Sequence, residues 1–201
     1  VTDKRVQTYN AEVAKQEQKV EALLLQKQQE IQKKEAEAAK KSQQAAKASG
    51  GNTSTDGADP ASSNDSYAAN TGELRWPLKV SGRISSKFGS RTSPTAGAST
   101  YHKGIDISVS SGTAIVASGA GTVVTATYSS TAGNYIMIYH GNSLYTVYMH
   151  CSKLGVKVGD TVNQGDVIGN VGSTGISTGP HLHFGVTVNG SYVNPLNYVS
   201  Q

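Results

Sequence analysis

Cysteine is nearly absent from this 201-residue sequence, and the single Cys151 excludes a fold held together by internal disulfides. No apolar run approaches the roughly 20 residues that a membrane-spanning helix needs, and no secretory leader is recognisable. The positive excess is also small. A net charge of +4 and a pI near 9.1 suit contact with an anionic polymer but are too diffuse to predict nucleic-acid binding.

Glycine and proline are missing between residues 3 and 48, where Gln, Glu, Lys and Ala dominate. These residues favour helix, and apolar side chains recur every seven positions, first at Val6, Val13 and Val20 and then at Leu24 and Ile31. Because polar residues interrupt this seam, we expect residues 1–48 to form a long, partly coiled-coil helix that self-associates weakly or needs a protein partner. A solvated helix without a partner is the alternative interpretation.

Residues 49–72 are dense in Ser, Asn, Asp, Gly and Ala, a composition typical of a flexible linker. Such a segment could also fold over a neighbouring site and keep it latent. The composition changes again at residue 73, and we therefore divide the chain into a helical segment (1–48), a linker (49–72) and a folded domain (73–201).

Residues 73–201 carry the signals of an all-β domain. Val, Ile, Thr and Tyr concentrate in short runs separated by glycine-rich turns, without an amphipathic stretch of helical length. The runs lie near residues 105–109, 113–117, 121–128, 135–140, 144–150, 167–171 and 181–188. Two similar pieces, at 119–123 and 158–162, indicate a duplicated motif, and we predict a compact antiparallel β-sheet folded into a sandwich.

The most informative stretch of the domain contains His181 and His183. The residues that follow them alternate as in a strand, on which positions i and i+2 project from the same face. The two imidazoles should therefore point side by side into one site, with Leu182 on the opposite face. Convergent histidines are a common way to build a metal or acid–base site.

About eighty residues upstream, His102, Gly104 and Asp106 share a face of another strand if the alternation of the neighbouring apolar residues is extended to them. Gly104 would leave a gap through which a metal could reach both ligands. Together with His183, these residues offer two nitrogens and one oxygen, a set that suits a catalytic zinc with its fourth position open to water.

Two further histidines lie on neighbouring strand-like runs. Strict alternation puts His150 on the same face as Tyr148, with Cys151 opposite as a small core residue. His140 precedes a Gly-Asn pair typical of a hairpin loop, and we expect it to be an exposed turn residue. The residues alone leave open which imidazoles bind metal and which transfer protons.

These three patterns, His-x-x-x-Asp, Tyr-x-His and His-x-His, together resemble the lysostaphin-type (LytM-type) zinc metallopeptidases that cleave peptides in bacterial peptidoglycan. The glycine framework around them matches the same family, and the resemblance covers roughly residues 75 to 199. Its other blocks are Phe88-Gly89-x-Arg91-x-x-Pro94, Gly112-Thr113-Ala114-Ile115-Val116-Ala117, Gly121-Thr122-Val123, Gly159-Asp160-x-Val162-x-x-Gly165-Asp166-x-Ile168-Gly169 and Gly172-Ser173-Thr174-Gly175-x-Ser177-Thr178-Gly179-Pro180.

By this resemblance, His102, Asp106 and His183 are the ligands of one Zn²⁺ ion, while His150 and His181 are the non-ligand histidines beside the attacking water. None of the five is substituted. The resemblance therefore implies an active zinc-dependent endopeptidase that hydrolyses peptide bonds in the stem peptide or cross-bridge of peptidoglycan. A peptidoglycan-binding or hydrolase-activating domain of the same lysostaphin-like fold, without catalysis, is the alternative.

Tyr101 and Tyr148 adjoin these positions, and we expect them to contact substrate or to donate to the oxyanion. Because peptidoglycan lies outside the cytoplasm, the implied substrate indicates an extracytoplasmic protein, secreted or tethered by a segment absent from a chain that begins at Val1. Part of the glycine framework also occurs in lipoyl and biotinyl carriers and in sugar phosphocarriers. However, no lysine follows Lys157 to carry a cofactor arm, and a phosphocarrier has no use for Asp106.

Overall fold

The computed structural model describes residues 74–201 and six isolated helical positions nearer the N-terminus: Ala22, Gln26, Gln29, Glu30, Lys33 and Glu37. The coiled-coil helix predicted over residues 1–48 and the linker predicted over 49–72 otherwise lie outside the described residues and stay predictions. Among the described residues, no helix is both long enough and apolar enough to cross a membrane.

Residues 74–201 form an all-β domain, as the alternation predicts, with one 3₁₀ turn (Pro195–Asn197) near the C-terminus. The strands are β1 (Arg83–Ser86), β2 (Gly89–Ser90), β3 (Tyr101–His102), β4 (Ile105–Ser108), β5 (Ala114–Val116), β6 (Gly121–Ser129), β7 (Gly133–Tyr139), β8 (Leu144–Leu154), β9 (Thr161–Val162), β10 (Val167–Val171), β11 (Leu182–Val188) and β12 (Ser191–Val193). The seven predicted runs correspond to β4–β8, β10 and β11. The other five strands have two to four residues each and were not predicted.

The main sheet is antiparallel and follows the order β1-β4-β11-β8-β7-β6-β9, while β10 pairs with β5 and β8, and β12 pairs with β11. The two similar pieces noted in the sequence meet at β6 and β9, where Gly121 lies opposite Val162 and Thr122 opposite Thr161. Strand β11 matters most for the site, because it lies between β4 and β8. Its register places His183 opposite Asp106 on one side and opposite Met149 on the other.

The core draws on strands of the main sheet and on the β5–β10 pair. Its centre is a single cluster of buried side chains that includes Ile105, Ile107, Leu182 and Phe184 from β4 and β11, and Ile168 from β10. On β4 and β11 these apolar residues alternate with the candidate site residues, so the packing of the core turns Asp106 and His183 to the opposite face. Cys151 is buried in the same cluster, as expected.

His140 differs from its prediction. The hairpin between β7 and β8 is present, with Leu144 N donating to Gly141 O, but the imidazole turns inward and is only 4% exposed. Its Nδ1 lies 2.8 Å from Ala120 O and its Nε2 lies 2.7 Å from Thr146 Oγ1. The expectation of an exposed turn residue is therefore wrong.

The His140 ring begins a buried relay of hydrogen bonds. Because Ala120 O can only accept, Nδ1 donates to it, and Nε2 accepts from the Thr146 hydroxyl. The Thr146 and Tyr148 hydroxyls lie 2.9 Å apart, and the N–H of Ser118 donates to Tyr148 at 2.8 Å. Burial lowers the pKa of His140 to about 4, although the bond to Ala120 acts in the opposite direction. The relay therefore contains a neutral imidazole.

Candidate metal centre

Three ligand atoms converge at the end of the β3–β4 turn. His102 Nε2 lies 3.0 Å from Asp106 Oδ1 and 2.9 Å from His183 Nδ1, and the remaining side of the triangle, His183 Nδ1 to Asp106 Oδ1, measures 3.0 Å. Among the described residues, these three side chains form the cluster able to hold a metal ion. Asp106 and His183, 77 positions apart in sequence, meet because β4 and β11 are neighbours in the sheet.

The protonation of these groups fits a cation. His102 Nδ1 lies 2.9 Å from the carbonyl oxygen of Lys87, which can only accept, so the neutral ring carries its proton on Nδ1 and turns the Nε2 lone pair toward Asp106. Burial opposes ionisation of the Asp106 carboxyl, but the His102 and His183 imidazoles in contact with it outweigh this effect and hold its pKa well below the usual range. An ionised carboxylate beside two imidazole nitrogens is a set of atoms that a cation can bind.

Zinc suits this arrangement in size as well as in charge. Tetrahedral bonds of 2.0–2.1 Å place neighbouring ligand atoms about 3.3 Å apart, close to the separations observed here. Two imidazole nitrogens and one carboxylate oxygen are also a ligand set that catalytic zinc sites use. The residues present therefore fit a zinc ion with one position left for a fourth ligand.

Glycine is needed at position 104 for a different reason from the one expected. A Cβ at this position would lie 2.4 Å from Phe184 O and 2.8 Å from His183 Nε2. The glycine therefore admits the backbone of β11 and the His183 ring, rather than leaving a gap through which a metal reaches its ligands. His183 Nε2 is buried there without a hydrogen-bond partner, which is compatible with an Nδ1 lone pair aimed at the metal position.

His150 reaches the site through a β-bulge. Asn134 and Ile136 of β7 lie opposite Cys151 and Tyr148 of β8, so two residues of β8 face one residue of β7, and His150 has a positive φ of 63°. The bulge interrupts the period of two. Tyr148 and Cys151 consequently both enter the core, whereas His150 turns to the groove. The prediction that His150 shares a face with Tyr148 is wrong for this reason.

The two non-ligand candidates lie together beside the three donors. The ring centroids of His150 and His181 are 4.7 Å apart, and His181 Nε2 lies 3.7 Å from Asp106 Oδ1. His150 Nδ1 donates to Thr174 O at 2.8 Å, and His181 Nδ1 donates to Gly179 O at 2.8 Å. In the neutral form of either ring, Nε2 is thereby the nitrogen without a proton.

Burial, reinforced by the neighbouring His183 and His181, lowers the pKa of His150 to about 3. Its ring is therefore neutral in the folded protein near neutral pH. Thr174, which sequence reasoning gave no role, contacts both that ring and the backbone next to the bulge. Its carbonyl accepts from the imidazole, and its hydroxyl donates to Cys151 O at 2.8 Å, next to the bulge.

The structure separates the two tyrosines. Tyr101 lines the groove, is 48% exposed and packs edge-on against Phe88 at 5.6 Å between ring centroids. Tyr148 has no exposed surface, and its hydroxyl is held by Ser118 and Thr146 in the buried relay. Tyr101 is therefore placed to touch a substrate, whereas the expectation that Tyr148 does so conflicts with its burial.

The groove on either side of the three donors is cationic. Arg83, Arg91 and Lys103 line it, and within the described part of the chain the only acidic side chain in its walls is Asp106. Lys103 Nζ lies 5.6 Å from the centroid of the Tyr192 ring, at the more apolar end of the groove. A ligand lying along this surface would meet positive charge on both sides of the donors.

Comparison with known proteins gives concordant matches. The model of peptidase family M23 matches residues 100–195. The peptidoglycan DD-endopeptidase ShyC of Vibrio cholerae is 43% identical over 123 residues, which cover 61% of this chain and 28% of the relative. The chain spans about a third or less of the length of the curated relatives it matches.

Solved structures agree with the sequence matches. A zinc-containing peptidase from Vibrio cholerae superposes with a TM-score of 0.56 at 35% identity, over 61% of this chain and 39% of that structure. The catalytic domain of lysostaphin from Staphylococcus simulans superposes with a TM-score of 0.54 at 35% identity, over 58% of this chain and 91% of that domain. The all-β fold of residues 74–201 is thus lysostaphin-like.

Proposed function

This chain belongs to peptidase family M23, and from that premise we propose that its domain is a zinc-dependent endopeptidase acting on bacterial peptidoglycan. One observation carries the proposal: three ligand atoms lie within 3.0 Å of one another, and the imidazoles of His150 and His181 stand beside them. The relatives named as peptidoglycan DD-endopeptidases support the substrate class. A substrate of this kind implies an extracytoplasmic location.

In this proposal a single Zn²⁺ ion is held by His102 Nε2, Asp106 Oδ1 and His183 Nδ1. The bound ion supplies a Lewis acid that polarises a peptide carbonyl and makes water acidic. The chain's own contribution is to hold three ligands in place. Asp106 would contribute the one negative charge among the three ligands.

In this proposal His150 and His181 transfer the proton of the reacting water. Their Nδ1 atoms are engaged by backbone carbonyls, so both rings keep a fixed tautomer and orientation with Nε2 free to accept. We propose that these two nitrogens hold the reacting water, that one of them takes its proton and that the pair returns a proton to the leaving amine. Tyr101, exposed at the rim of the groove, is placed to contact the peptide.

The charge of the groove favours a particular part of peptidoglycan. Arg83, Arg91 and Lys103 surround the donors without a free carboxylate in the walls described, so a peptide bearing carboxylates gains attraction along the groove. Cross-linked stem peptides carry such groups, whereas a glycine bridge is uncharged. We therefore propose the stem-peptide cross-link as the substrate.

Digestion of purified peptidoglycan by the full chain tests the proposal. Chelator should abolish release of fragments, zinc should restore it, and fragment masses should place the cut in the stem-peptide cross-link. His181→Ala, which leaves the three ligands intact, should bind zinc and release no fragments. A wild-type chain that binds zinc and cleaves nothing would instead support the non-catalytic alternative, in which the domain binds peptidoglycan or activates another hydrolase.

A further inference from the structure

The outer oxygen of the candidate ligand Asp106 is held by a residue outside the metal centre. While Asp106 Oδ1 faces His102 and His183, its Oδ2 accepts from Arg91 Nη1 at 3.1 Å. The pair is mostly buried, with side-chain exposures of 19% for Arg91 and 14% for Asp106. The two oxygens of one carboxylate are thereby assigned different partners, which fixes the rotation of the carboxylate about its own axis.

The same guanidinium reaches a second ligand through Ser86. Arg91 Nη1 donates to Ser86 Oγ at 2.7 Å, and Ser86 Oγ lies 3.2 Å from His102 Nδ1. Since His102 Nδ1 also donates to the Lys87 carbonyl, this imidazole is braced on the side away from the metal. Partners of this kind orient metal ligands and tune their affinity.

Arg91 is tied at its other end to the groove wall. Its Nε donates to Ser99 O at 3.3 Å, and its backbone N–H donates to Thr100 O at 2.8 Å. These bonds close the loop of residues 91–100, whose residues Gly97, Ala98 and Ser99 line the groove. The Arg91 side chain therefore contacts an oxygen of Asp106, the Ser86 hydroxyl that supports His102, and the loop that borders the groove.

We propose that Arg91 is a positioning residue that couples the metal ligands to the groove wall formed by residues 91–100. The inference rests on the proposed zinc site and extends it. Metal affinity then depends on the closed loop. By thermodynamic reciprocity, zinc binding must favour the closed loop by the same free energy.

Charge and position make opposite predictions for Arg91→Gln. A guanidinium 3.1 Å from a ligand carboxylate repels an incoming dication, so by charge alone its removal should strengthen zinc binding. If Arg91 acts by holding Asp106 and Ser86, its removal should weaken zinc binding. The sign of the change therefore distinguishes the two effects.

Competition with a chromophoric zinc chelator, applied to the full chain, measures this sign. We expect the zinc Kd of Arg91→Gln to rise about 10- to 100-fold, as for other residues that support metal ligands. Arg91→Lys keeps the charge but lacks the planar fork that bonds in several directions, and its Kd should also rise. Arg83→Gln is the matched control, because it removes an exposed cation of the same groove and should leave the Kd unchanged or lower.

Hydrogen exchange of residues 91–100 provides the second readout. Zinc should slow exchange in this loop of the wild-type chain and should have a smaller effect in Arg91→Lys. Ser86→Ala is a milder change and should raise the zinc Kd by a smaller factor. It replaces the Arg91 variants in the test if thermal unfolding without zinc shows that they do not fold.

Unchanged or tighter zinc binding in Arg91→Gln, or in Ser86→Ala where the former does not fold, would overturn the inference while leaving the proposed function intact. If zinc does not change the hydrogen-exchange rate of residues 91–100 in the wild-type chain, the proposed coupling is wrong. A wild-type chain that binds no zinc would overturn both proposals together.

Discussion

Acid should destabilise this domain partly through His140, which is not part of the candidate metal centre. The ring is 4% exposed, and burial lowers its pKa from 6.5 to about 4. In the unfolded chain the pKa returns to about 6.5, so between these values the unfolded state binds a proton that the folded state rejects. Above pH 6.5 His140 therefore carries no penalty, and stability is lost progressively as the pH falls through 6.5 toward 4.

The size of the loss follows from the gap between the two pKa values. A gap of about 2.5 corresponds to about 3 kcal/mol, since one pKa unit is worth about 1.4 kcal/mol. Of this, about 2 kcal/mol is already lost at pH 5, where the unfolded ring is almost fully protonated and the folded ring is not. This is a large part of the 5–15 kcal/mol that typically holds a domain folded.

Urea unfolding between pH 7 and pH 4 measures the effect, with chelator present to remove any contribution from metal. The fluorescence of Trp76, the sole tryptophan and 7% exposed, reports on the core. His140→Asn is the comparison, because its amide can still donate to Ala120 O but cannot titrate. The variant should be the less stable protein at pH 7, and the difference should shrink by about 2 kcal/mol at pH 5. Parallel stability curves for the two proteins would refute the reasoning.

Four further predictions concern the site and the buried relay. Gly104→Ala should lose zinc affinity in chelator competition and about 1–3 kcal/mol of unfolding free energy, because its Cβ cannot fit beside Phe184 O without moving β11; an unchanged zinc Kd would contradict this. Tyr148→Phe should lower the free energy of unfolding by about 1–3 kcal/mol, because it leaves the Ser118 N–H unpaired, and should leave zinc affinity unchanged. Tyr101→Phe should alter kcat/KM without altering the urea midpoint. Free zinc at 100 times its Kd should raise the unfolding free energy by about 2.7 kcal/mol in the wild-type chain, and the same titration should leave Asp106→Ala unchanged.

Most of the strands could be predicted because their sequences obey one simple rule. The run at residues 105–109 alternates apolar and polar positions between glycine turns, and the structure has β4 at this place. The convergence of Asp106 and His183 was also accessible, because each lies on a predicted strand with its apolar neighbours committed to the core. What no single strand encodes is the pairing of β4 with β11, and the family resemblance supplied that.

The failures share a physical cause: the direction of a side chain was decided by a residue distant in sequence. A hairpin signal at Gly141 indicates where the chain reverses. The His140 ring nevertheless turns inward, because it forms hydrogen bonds there with the Thr146 hydroxyl and the Ala120 carbonyl. The Arg91 motif was visible as a pattern, yet its contact with Asp106 crosses 15 residues and two strands.

The bulge at His150 shows how such a failure bears on function. Without the extra residue, alternation would leave His150 on the face of Tyr148, in the core, and Met149 alone would face the groove. A non-glycine residue at a φ of 63° is unfavourable, and here the surroundings hold it in place: the His150 N–H donates to Ala132 O at 2.9 Å and its ring donates to Thr174 O at 2.8 Å. The strain is thus offset by the same bonds that aim the imidazole. The local rule is broken where the proposed chemistry needs a side chain that regular strand geometry would bury.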